Sequence, residues 1–231
     1  MTAARRQALS IHMDSTLLTE IGDAERLAVE YCAKELRPAL TAFFAFDARL
    51  GQIASKTTEP ALGQMRLAWW RDTLSQPVDD RPSGDVVLEA ASQQWAGLEA
   101  SLIEAVDAWE VLIASEILSA QDIELFAEGR ARPIVRIGHQ VTDKNNKKLK
   151  NMAELWALAD IAHRVSDEDE RATILGIASE RLQHTGPITK SLRGIAVLNA
   201  LARRSLARGG QAMLEGRGAA LTALRVGLIG R

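Results

Sequence analysis

Almost no stretch of this chain alternates apolar and polar residues with a period of two, and runs of β-branched residues are few. Ala, Leu, Glu, Arg and Gln instead recur at helical spacing along nearly the whole sequence. Helices can bury such a pattern on one face, and strands cannot. The expectation is an all-α protein. At 231 residues the chain is long enough for one sizeable core and short for two, so a single domain is expected over 1–231. Its ends are expected to differ: a frayed N-terminus over 1–20 and a basic helical region over 190–231.

Hydrophobic residues make up 47% and charged residues 25% of the chain, which is too apolar for a disordered protein. Cys32 is the single cysteine, so no intrachain disulfide and no cysteine-built zinc site can form. No apolar run approaches the roughly 18 to 20 residues a transmembrane helix needs. The start, MTAARRQALS, lacks the apolar core of a secretory signal. These features point to a cytoplasmic protein, with peripheral contact to a membrane left open. The formal net charge of −2 hides an asymmetry, because from Lys190 onward eight Lys or Arg face one acid, Glu215. That region suits an anionic surface or an acidic neighbour, and plain solvation is the bland alternative.

The punctuation predicts the helices. A first helical stretch runs from about Asp23 with Leu27, Tyr31, Leu36, Leu40, Phe43 and Phe44 inward, and Pro38 kinks it or divides it in two. Thr57-Thr58-Glu59-Pro60 is a turn and a helix start. QPVDDRPSGD, residues 76–85, is a loop by composition. Helical pattern resumes from Val87 to Ile113. Ser119 with Asp122 resembles a capping box opening DIELFAEGRARPIVRIGHQV, in which Pro133 predicts a kink near Gly129. TDKNNKKLKN reads as a loop, MAELWALADIAHRV as a helix, and HTGP, residues 184–187, as a break. Helices are expected from about Ile188 to Ala207 and from Gly210 onward.

Few side chains carry obvious chemistry. His12, His139, His163 and His184 are scattered without metal-ligand spacing, and no dinucleotide fingerprint, phosphate-binding loop or nucleophile elbow is present. Nucleic-acid binding has only the basic region in its favour, without interleaved aromatics, and is not expected. Trp69 and Trp70 must point about 100° apart on a helix. With Arg66 and Arg71 beside them they either line an apolar pocket with cationic gates or fill the core with solvated arginines around it. Asp47, Gly51 and Ser55 share one helical face at i, i+4 and i+8, and Asp160 and Arg164 form an i,i+4 pair. SDEDE, residues 166–170, reads as a solvated helix end or loop.

The stretch LRPALTAFFAFDARLGQIASKTTEPALGQMRLAWWRDTL resembles the squalene/phytoene synthase family. It is most similar to the degenerate branch that includes the mitochondrial complex I assembly factor and its bacterial relatives. The resemblance rests on a phenylalanine-rich helix, then Glu59-Pro60, then Leu62 to Leu74 with its Leu-Gly-x-Met-Arg-Leu-x-Trp-Trp-Arg-Asp-x-Leu pattern. FAEGRARPIVRIGHQV and ELWALADIAHRVSDEDER, residues 126–141 and 154–171, resemble the family's kinked mid-chain helix and its later Leu-Arg-Asp helix.

The resemblance implies a single-domain helical bundle of the isoprenoid-synthase type. Active members join two prenyl diphosphates head to head, using two D-x-x-x-D motifs whose carboxylates hold Mg²⁺, a hard ion that takes oxygen ligands. Gly51 and Ser55 stand at the first motif's aspartate positions, with Asp47 one turn early. Val165 stands at the second motif's first aspartate, with Asp169 left as its second. The vestigial catalytic candidates are therefore Asp47, Asp160 and Asp169. Arg66, Trp70, Arg71, Glu128 and Arg164 are the binding candidates, and no metal ligand is assigned. The expected function is a catalytically degenerate family member serving as a binding or assembly factor for a protein partner or a membrane-associated complex. The alternatives are a transferase that uses Mg²⁺ at an altered site and a carrier of a prenyl or lipid ligand.

Overall fold

The computed structural model describes residues 16–57, 59–141, 146–182 and 188–229, and every regular element among them is helical. After a helical turn at 16–20, ten helices follow: α1 (Asp23–Tyr31), α2 (Arg37–Lys56), α3 (Pro60–Ser75), α4 (Val86–Gln94), α5 (Glu99–Ala114), α6 (Ala120–Gly138), α7 (Asn146–Arg164), α8 (Glu168–Arg181), α9 (Arg193–Leu206) and α10 (Gly218–Ile229). The N-terminal segment before residue 16, the HTGP break, His12 and His184 lie outside the described residues.

Local chemistry sets most boundaries. Pro38 stands in the first turn of α2, where its missing N–H costs nothing, so the expected first stretch divides into α1, a 3₁₀ turn at Lys34–Leu36 and α2. Pro60 opens α3 in the same way. The Asp85 carboxylate accepts from the backbone N–H groups of Val87 and Leu88 at the start of α4. Ser119 and Asp122 complete a reciprocal capping box at the start of α6. Asp167 caps α8 through the N–H groups of Asp169 and Glu170, so the acidic run is a helix start. Pro133 is buried inside α6, which continues through it.

Three expectations need correction. The pattern from Val87 to Ile113 is two helices, because Gly97 adopts a left-handed φ of 78° that ends the first. The polar run expected as a loop over 142–151 already belongs to α7 from Asn146: Leu149 and Met152 are buried while Lys150 pairs with Glu128 and Glu154. The final helix starts at Gly218 rather than Gly210, since Gly209, Gly210 and Gly216 all have positive φ and hold a turn between α9 and α10.

The core lies where α2, α5, α6, α7 and α9 meet. α5 packs on α3 and α6, α6 on α7, and α7 on α9, while α1 and α10 pack on α9. Phe43, Phe44, Phe46, Trp95, Phe126 and Trp156 are fully buried among aliphatic side chains. The Phe44 and Trp156 rings meet edge to face at 5.4 Å, and the Trp95 indole N–H donates to the Ala39 carbonyl at 3.0 Å. α9 approaches α1 so closely that a Cβ at Gly194 would lie 1.8 Å from the Ala28 carbonyl oxygen.

Candidate functional site

The phenylalanine-rich start of α2 carries Asp47 into the interior one turn after Phe43. A carboxylate buried there needs partners, and two helices supply them. The Trp109 indole N–H on α5 donates to Asp47 Oδ1 at 2.8 Å. Arg130 on α6 donates through Nε to Oδ1 at 2.9 Å and through Nη2 to Oδ2 at 2.5 Å, a forked contact of the kind arginine makes best. The third nitrogen of the same guanidinium, Nη1, donates to Asp160 Oδ2 on α7 at 2.9 Å. Asp160 Oδ1 accepts in turn from Arg164 Nε at 3.0 Å, the i,i+4 pair foreseen in the sequence.

One guanidinium therefore stands between the two converging carboxylates. Its side chain is 2% exposed, against 6% for Asp47 and 12% for Asp160, so the charges meet with little solvent to screen them. Three aromatic faces complete the cage, with the guanidinium carbon 4.3 Å from the Trp156 ring, 4.7 Å from Trp109 and 5.0 Å from Phe126. Burial alone would lower the Arg130 pKa. The charges of Asp47 and Asp160 reverse that and raise it, so the group is a permanent cation. Burial would likewise raise the Asp160 carboxyl, yet Arg130 and then Arg164 hold it below its ordinary value. Glu25 on α1 accepts from the Trp156 indole N–H at 2.7 Å. Its carboxyl is raised, by burial first and by the nearby Asp160 second.

A cleft of about 370 Å³ opens beside this cage. Asp23, Glu25, Asp47, Arg130, Asp160, His163 and Arg164 line it together with Phe44, and Ala212 to Leu214 close one side. Of the residues singled out in the sequence, Asp47, Asp160 and Arg164 meet here. The others lie elsewhere. Asp169 is exposed in the first turn of α8. Arg66 is exposed on α3. Trp70 is buried, its ring edge to face with Phe46 at 5.2 Å, and Trp69 flanks it, 44% exposed. Arg71 ties α3 to α5 through Asp107 at 2.5 Å and through Glu110. Glu128 pairs with Lys150 at 2.7 Å, and that hydrogen bond lowers its pKa. The motif positions have other uses: a Cβ at Gly51 would sit 3.0 Å from the Trp109 ring, and Ser55 is exposed.

Sequence reasoning missed Arg130, Trp109, Trp156 and Glu25. Arg130 carried a signal, since it falls on the apolar face of α6 with Phe126, Ala127, Ile134 and Ile137, all buried. A charged residue in such a stripe must find its counter-charge inside.

Magnesium does not fit these donors. It demands near-octahedral oxygen coordination. Here all four oxygens of the two converging carboxylates already accept from arginine, with the indole as a further donor to Asp47, and a cation stands between them. Among the described residues no group of three or more His, Cys, Asp or Glu side chains is arranged to hold a metal ion. No curated protein and no solved structure is significantly similar to the chain. The family model for squalene/phytoene synthase matches residues 25–155, more than half of the chain.

Proposed function

The chain belongs to the squalene/phytoene synthase family, and we propose that it keeps the family's prenyltransferase-like helical scaffold as a binding or assembly surface without transferring prenyl groups. One observation carries the reading: Arg130 bridges Asp47 and Asp160, so the cationic position between the facing carboxylates is filled by the chain itself. Head-to-head condensation needs metal-bridged carboxylates to take the departing diphosphate and a dry apolar cavity for the allylic cation. The carboxylates here are neutralised in place, and the cleft beside them is lined by charged side chains. Gly51 supports the reading further, because even a Cβ at this motif position would press on the Trp109 ring at 3.0 Å. Likeness to the assembly-factor branch suggests a protein partner or a membrane-associated complex.

Incubation of the purified chain with farnesyl or geranylgeranyl diphosphate and Mg²⁺ tests this, with released diphosphate and hydrocarbon product as readouts. The expected result is no release above a protein-free control. Turnover that a chelator abolishes and Asp160→Asn removes overturns the reading in favour of an altered transferase. Thermal stabilisation by a prenyl diphosphate without turnover marks a prenyl carrier instead.

A further inference from the structure

We infer that the outer face of α10 is a docking surface for an anionic lipid bilayer. The helix is apolar on both sides. Ala219, Ala223, Val226 and Gly227 are buried, packing it onto α9 and the Tyr31 ring, while Leu221, Leu224, Leu228 and Ile229 are 70%, 49%, 69% and 70% exposed. Large apolar side chains on the outward face as well as the inward one normally belong inside a protein or a membrane, and this helix lies at the surface.

Charge selects the occupant. Arg225 stands among the exposed leucines, one turn from Leu221 and from Ile229, and Arg217 immediately precedes the helix. Both are exposed, and neither has an ion-pair partner among the described residues. No acid lies on α10. A second copy docking through this face would bring further arginines to the contact and no carboxylate from α10 to meet them. A bilayer suits both features. The leucines enter the acyl boundary while the arginine stems run alongside them and carry the guanidinium groups up to lipid phosphates. At 12 residues the helix spans about 18 Å, too short to cross, so it lies in the plane of the interface. No α10 residue lines the cleft, and the inference stands whether or not the cleft is catalytic.

Cosedimentation of the full chain tests it, with vesicles of phosphatidylcholine alone and of phosphatidylcholine with phosphatidylglycerol. Binding is expected to the anionic vesicles and to fall by roughly tenfold or more in the Leu221→Gln/Leu228→Gln double variant. Arg217→Gln and Arg225→Gln are each expected to weaken it about fivefold. These side chains face solvent, so an unchanged melting temperature and helical circular dichroism establish that the variants fold. Absence of binding to anionic vesicles overturns the proposal, as does binding indifferent to these substitutions. A concentration-dependent dimer that the double leucine variant dissolves also overturns it and assigns the face to a second copy.

Discussion

Arg130 is held by opposed costs. Removing a guanidinium from water is expensive, and only two ionised carboxylates with matching hydrogen bonds make its burial tolerable. Deleting it leaves Asp47 charged and buried with only the Trp109 N–H, so Arg130→Met is expected to cost about 3–5 kcal/mol, read as a lowered urea midpoint. Arg130→Lys keeps the charge but cannot fork across Asp47 while reaching Asp160, and is expected to recover only part of the loss. Glu25 gives the same site a pH dependence. Its folded pKa is raised from 4.5, so the folded chain binds that proton more tightly than the unfolded chain does. The stabilisation is fully present below the unfolded value and is lost as pH rises through the folded one. Glu25→Gln, whose amide oxygen can still accept from Trp156, is expected to melt above the parent at about pH 8, with the advantage shrinking toward about pH 4. Asp160 runs the other way: lowered from 3.8, its contribution is present at neutral pH and lost as pH falls through the folded value.

Between helices, close packing matters more than any single charge. At Gly194 an added methyl meets the Ala28 carbonyl, a backbone atom that cannot turn aside, whereas at Gly176 on α8 a Cβ meets nothing within 4 Å. Gly194→Ala is therefore expected to destabilise by several times the effect of an ordinary surface change. Gly176→Ala is expected to stabilise by about 0.5–1 kcal/mol through helix propensity, and thermal melts of the two variants separate these effects. The features legible in the sequence are those governed by neighbours a few residues away: Pro38 and Pro60 in first turns, and the Ser119 and Asp122 box. Composition misled where burial decided the outcome. Leu149 draws a lysine-rich segment into α7, and left-handed glycines place the break at Gly97 and the late start of α10.

For the molecule as a whole, the all-α class follows from periodicity alone, and the family follows from the Glu-Pro turn and the Trp-Trp-Arg-Asp helix, which fall within the matched residues 25–155. The site was only half legible. Spacing along one helix put Asp47, Gly51 and Ser55 on a common face, yet the partner that decides what Asp47 does lies 83 residues away on α6. No local pattern encodes such a pairing. The proposed function stands or falls on whether the chain's own guanidinium closes the carboxylate pair to divalent metal. The most direct test is to titrate the purified chain with Mn²⁺, a paramagnetic stand-in for Mg²⁺, in the presence of a non-hydrolysable prenyl diphosphate, and to count bound ion by electron paramagnetic resonance. No saturable site on the protein is expected. A stoichiometric Mn²⁺ site that Asp160→Asn abolishes would contradict the proposed function.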